Sequence, residues 1–170
     1  MKQLLQAKTF NLFLTLYCPK ILSLIINPKI FAIALTLNIL QYLLVLGYFY
    51  FLAIALKTKL NPEIKISNRL FNICLLITFA LLCLRNFSDD VPDQFQNDPA
   101  IWMPLLIIVI FLLYIYAHLG QLLTSVERDQ KIRFGDHLWE SLLFLIFGLG
   151  IWALQPRIRN IFTETKEIQS

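Results

Sequence analysis

Apolar residues in this chain run in long blocks separated by short polar stretches, and the blocks have the length of a bilayer crossing. Residues 30–56 read IFAIALTLNILQYLLVLGYFYFLAIAL with no charged residue among them. At 1.5 Å per residue, about 20 apolar residues cross a ~30 Å hydrocarbon core, so this block spans with tilt to spare. A second block, 69–86, is shorter and spans once Arg85 snorkels to the interface. The third, 100–124, carries Pro104 near its start, where a missing amide costs a helix little. The fourth, 137–155, is apolar apart from Glu140 and Ser141, and Asp136 is placed to cap it. Pro156 is expected to kink or end that helix, leaving Arg157 and Arg159 at headgroup level and 156–170 as a tail.

Residues 1–28 are different. Lys8, Asn11, Thr15, Pro19, Ser23 and Asn27 recur near helical spacing, leaving Leu, Phe and Ile on the other arc. This predicts an amphipathic helix lying in the membrane plane; the alternative is a further span with Pro19 and Lys20 near its centre. The expected fold is therefore an all-α polytopic transmembrane helix bundle, one membrane domain over 1–170, with four spans plus an N-terminal in-plane helix, or five spans in the alternative. The last two spans form a tight antiparallel hairpin, with Trp102 and Trp152 marking one interface and Trp139 the other. Ser141 and Gly148, two turns apart, would allow a close helix contact there.

Composition agrees. A hydrophobic fraction of 58% and a mean hydropathy of +0.66 exclude disorder and argue against an ordinary soluble domain. The net charge of +4 comes from cations between the apolar blocks, a pattern that suits lipid headgroups, and no basic strip interleaved with aromatics suggests nucleic acid. Four spans divide the fifteen Lys and Arg eight to seven between the two sides, so the positive-inside rule does not orient the chain. A lysine-bearing first helix is easier to leave untranslocated, which favours both ends inside. Cys18, Cys74 and Cys83 have neither metal nor redox spacing and read as small buried apolar residues. Bulky Tyr17 before Cys18 disfavours lipoprotein processing, and no small-x-small site follows the first apolar run. The loop over 88–99 has four aspartates but lacks the glycine turn and distal glutamate of an EF-hand. Asn86-Phe87-Ser88 matches a glycosylation sequon with force only in a lumenal eukaryotic setting.

Candidate chemistry gathers at the connector end of the hairpin. Tyr114, His118, Gln121 and Ser125 form one stripe, and His137, Glu140 and Ser141 open the next helix at the same depth. Asn72 lies on that side and could join them. In the first span Asn38 and Gln41 share a face with Tyr42 and Phe49 and should point into the bundle as interhelical hydrogen-bonding groups. An ionisable residue inside a span must have its desolvation compensated. The cluster Tyr114, His118, Gln121, His137, Glu140 and Asn72 is therefore the candidate site. It can fix helix register, carry protons or solute, or, through His118 and His137, hold a metal or haem for which no third ligand is evident. No His-Glu-x-x-His, glycine-flanked nucleophile or paired intramembrane carboxylate accompanies it. Catalytic residues, cofactors and a metal are not expected.

The string Phe134 to Phe162, with a Phe-Gly-Asp connector, Gly-Ile-Trp and Gln-Pro-Arg-Ile, resembles the C-terminal end of small bacterial membrane proteins that have no assigned function. The resemblance covers about a sixth of the chain and implies a bacterial inner (plasma) membrane setting and the last hairpin. The expected function is that of a non-enzymatic accessory or scaffold subunit, in contact with the bilayer and with a larger membrane protein or further copies of itself. The alternative is a component of a small transporter or channel that uses the polar cluster over 114–141.

Overall fold

The structure, a computed structural model, describes residues 8–25, 31–86, 99–132 and 134–163. Among them are six α-helices, one 3-10 turn and no sheet. The helices are α1 (Thr9–Ile25), α2 (Phe31–Lys59), α3 (Arg69–Asn86), α4 (Pro99–Arg128), α5 (Leu138–Leu145) and α6 (Phe147–Thr163), with the 3-10 turn at Phe134–His137. Where water is absent every backbone amide and carbonyl must be paired within its own segment, so long apolar blocks become helices. Three are long and apolar enough to cross a membrane: Leu35–Lys59, Arg69–Asn86 and Trp102–Arg128. Most of the aspartate-rich loop, most of the sequon and the last residues of the tail lie outside the described residues.

α2, α3 and α4 run up, down and up around a shared core. Phe49 of α2 is fully buried, edge-on to Tyr116 of α4 at 5.7 Å and to Phe144 of α5 at 6.4 Å. Leu52, Leu56, Phe71, Ile115, Leu119 and Leu122 close around it. The outer faces are apolar too, with Leu76 70% and Met103 62% exposed. A helix that is apolar on all sides belongs inside a bundle or in lipid.

Residues 137–155 do not form the single span expected. The helix stops at Leu145, Ile146 leaves helical geometry at φ −87° and ψ 51°, and α6 starts at Phe147. Glycines at 148 and 150 follow the break, each about 1 kcal/mol less favourable than alanine in a helix. The direction of α6 follows from its contacts. Arg157 reaches Glu127 near the end of α4 and Glu140 in α5, and Lys59, the last residue of α2, lies 6.0 Å over the Phe162 ring. Tyr48 donates a buried hydrogen bond to Gln155 at 3.0 Å. So α6 points toward the end of the molecule where α2 and α4 finish and where α5 begins. α5 and α6 make a returning hairpin whose two outer ends lie at one end of the molecule; α5, at ~1.5 Å per residue, reaches only about 12 Å. Pro156 neither ends α6 nor prevents its running on to Thr163. Trp139 and Trp152 are both exposed on this hairpin, so Trp152 does not share the Trp102 interface.

α1 packs along α2 and touches α6. Leu12 and Leu16 are buried in the common core, Lys20 Nζ donates to Asn38 Oδ1 at 3.3 Å, and Pro19 lies inside the helix. Phe10, Leu14, Ile21 and Leu22 face outward. The helix thus has apolar residues on the protein side as well as the outer side, where the sequence pattern suggested one apolar arc turned to lipid.

Candidate functional site

The site is best built from α4, because it carries three of the six candidate residues, Tyr114, His118 and Gln121. Gly120 faces α5, and a Cβ there would sit 2.6 Å from Ser141 Oγ and 3.0 Å from Ser141 N. Only a glycine admits this approach. Thr124 Oγ1 donates to the Gly120 carbonyl and Ser141 Oγ to the His137 carbonyl, so both hydroxyls find acceptors within their own segments. Ser141 makes the close helix contact expected of it, and the small residue opposite is Gly120 of α4.

His118 is 6% exposed. Its Nε2 lies 3.1 Å from Asn68 Oδ1, which requires Nε2 to carry the proton. The ring stacks on Phe71 at 4.8 Å and on Tyr114 at 6.1 Å. Asn68 immediately precedes α3, its carbonyl accepting from the Asn72 amide while Ser67 Oγ accepts from Arg69 N. The histidine therefore ties α4 to the start of α3. Asn68, not Asn72, is the polar residue that joins it.

Glu140 is 7% exposed and turns the other way. Its Oε1 accepts from Arg157 Nη2 at 3.1 Å. The same guanidinium grips Glu127, with Nε donating to Oε1 at 2.9 Å and Nη2 to Oε2. This paired geometry is what a planar fork makes with a carboxylate. The Glu127 hydrogen bond, opposed by partial burial and aided by Glu140, holds the Arg157 pKa above its ordinary value. One cation thus joins α4, α5 and α6.

The expected cluster is divided into two groups. Tyr114 and His118 belong with Asn68 and Phe71; Glu140 belongs with Arg157 and Glu127. Gln121 Nε2 donates to the Ile132 carbonyl at 3.4 Å and holds the connector. His137 is buried and serves as the N-cap residue of α5 without a side-chain cap bond; the 3-10 turn moves exposed Asp136 off the capping position. The facing of His118 and Glu140 is corrected by geometry: His118 is engaged by Asn68, just before α3, and Glu140 by Arg157 of α6. In α2, Gln41 is buried as expected, although its Oε1 has no hydrogen-bond partner, a condition shared with Thr78 Oγ1 and Ser125 Oγ. Among the described residues no group of three or more His, Cys, Asp or Glu could hold a metal ion.

Asn68, Glu127 and Arg157 are the functional side chains that reading the sequence missed. Glu127 and Arg157 were available as an acid and a base at the ends of two predicted helices, but pairing them requires α6 to turn back. The chain matches no protein-family model, no curated protein and no solved structure.

Proposed function

We propose that this is a small, non-catalytic integral membrane protein, an accessory or scaffold subunit of a membrane assembly, in a bacterial inner membrane. One observation carries the reading: apolar side chains face outward, while the ionisable candidates His118 and Glu140 are engaged in contacts between elements. Groups that must bind and release a proton or solute are poorly served by partners of this kind, which suits structural glue better than a translocation path. Three spans, a re-entrant hairpin and an α1 buried on one side complete the architecture.

The hairpin also bears on orientation. With the N-terminal cations counted on the side of the acidic loop, the hairpin transfers Arg157 and Arg159 to the side of the two basic connectors. Leaving out Lys166, which lies outside the described residues, the count becomes nine-to-five in favour of the connector side, which the positive-inside rule assigns to the cytoplasm, the reverse of the inside placement expected for the first helix. The aspartate-rich loop then faces away from it.

The experiment is a comparison of Glu140→Gln with wild type. As a scaffold contact, the substitution lowers the yield of folded, detergent-extracted protein. A fully folded variant that has lost a solute or proton flux measured in proteoliposomes would establish the transporter reading instead. Extraction in mild detergent followed by identification of stoichiometric partners tests the subunit role.

A further inference from the structure

The connector between α2 and α3 folds over a recess lined by Lys57 and Lys65, by Asn61 and Ser67, and by apolar side chains including Leu60 and Ile64. Its position is set by the helices. The first candidate span ends at Lys59 and the second begins at Arg69, so the recess opens at the level where lipid phosphates lie. Lys57 and Lys65 are both exposed, and no carboxylate pairs with either among the described residues, whereas Arg157 is paired twice. Glu63, the connector's one acid, does not line the recess. The start of α3 brings the positive end of a helix macrodipole and the end of α2 the negative one, so the helix ends offset each other and the charge of the recess comes from the two lysines. Two unpaired ammonium groups, an amide and a hydroxyl able to bond glycerol or phosphate oxygens, and an adjoining apolar wall together match a ligand with an anionic head and a hydrocarbon tail.

We propose that the Lys57–Lys65 recess binds the phosphate headgroup of an anionic phospholipid. The phosphate sits between the two lysines, Asn61 and Ser67 meet the polar headgroup atoms, and the acyl chains leave along Leu60 and Ile64. This rests on the reading of the chain as a membrane protein, which carbonate-resistant membrane association tests separately.

Full-length protein in uncharged detergent is titrated with phosphatidylglycerol, with phosphatidylcholine and with inorganic phosphate, and bound lipid is counted by native mass spectrometry. Thermal unfolding is followed in parallel. Phosphatidylglycerol is expected to be retained at one site and to raise the unfolding temperature more than phosphatidylcholine does. Lys57→Gln with Lys65→Gln is expected to weaken its binding about thirty-fold, since each lysine near an anionic surface contributes ~1 kcal/mol. Lys131→Gln with Arg159→Gln, two exposed cations outside the recess, is expected to leave that binding within about two-fold. Equal loss in both pairs would mean a diffuse basic surface and overturn the site. An equal response to inorganic phosphate would identify a free-anion site, and equal retention of phosphatidylcholine would remove the anionic selectivity; either overturns the proposal. All three results are read on protein already shown to be membrane-bound, so they do not depend on the subunit role.

Discussion

Gly120 and His118 show how single side chains set this packing. A Cβ at Gly120 meets not only the rotatable Ser141 hydroxyl but the Ser141 backbone nitrogen at 3.0 Å, which cannot swing aside. Gly120→Ala is expected to destabilise the detergent-solubilised protein by ~1–3 kcal/mol, the usual cost of overpacking. Gly120→Ala with Ser141→Ala should recover part of that, as measured by denaturant unfolding. For His118, replacement by Leu removes the donor to Asn68 and costs ~1–3 kcal/mol. A double-mutant cycle should show coupling of His118 to Asn68 and additivity within ~0.3–0.5 kcal/mol between His118 and Glu140. Depth along α4 was legible in the sequence, because a helix rises by a constant step. The partner across the interface was not: Asn68 and His118 are 50 residues apart, and which residue of the connector meets the ring depends on how α3 docks. Asp129 is a smaller case. It ends α4 at φ 49°, the left-handed region that Asp tolerates and Gly prefers, so Asp129→Gly should be neutral and Asp129→Val costly by ~1 kcal/mol in the same assay.

Elements α4, α5 and α6 are held together by one guanidinium, and its partners differ in burial. Removing Arg157 leaves Glu140 as an uncompensated, nearly buried carboxylate, a loss of up to ~3–5 kcal/mol when the charge is fully buried and less here, where Arg157 itself is about a third exposed. Glu127 is more exposed, and Glu127→Gln is expected to cost at most ~1 kcal/mol. Arg157→Lys should not restore wild-type stability, because a point charge cannot grip Glu127 through two nitrogens and reach Glu140 as well. Equilibrium unfolding of the three variants in detergent gives the order. The hairpin was not legible as a hairpin because residues 137–155 have the same hydropathy whether they cross or return. What decides is the register of Glu140 against Arg157, a contact that a sum of transfer energies along the chain does not contain.

At the scale of the molecule, three candidate spans and a returning hairpin place the α2–α3 connector and the end of α6 at one end, whereas four full spans would separate them. Cysteines introduced at Lys65 and Thr163 should therefore react with an impermeant maleimide from the same side of the membrane. Labelling from opposite sides would restore a complete fourth span. A reporter fused after Ser170 should read cytoplasmic, together with the Lys65 label. The long apolar blocks made the three spans readable directly, since bilayer thickness leaves few alternatives for an uncharged run such as 30–56. Residues 1–28 read less well, because Leu12 and Leu16 resemble lipid-facing positions until α2 and α6 are seen to cover them.

The interruption at Ile146 has a consequence for hydration. Each helix end leaves about four backbone groups without a partner in its own helix, and here two ends meet at the deepest point of a hairpin. Hydrocarbon offers such amides and carbonyls nothing, at a cost of several kcal/mol for each one left bare. Ile146 N–H still donates to the Leu142 carbonyl at 3.0 Å, so the first amides of α6 are the ones expected to draw water toward a tip placed in hydrocarbon. Amide hydrogens at Phe147, Gly148 and Leu149 should then exchange with deuterated solvent faster than those of Phe49 and Leu52, which belong to an unbroken ladder in the middle of α2.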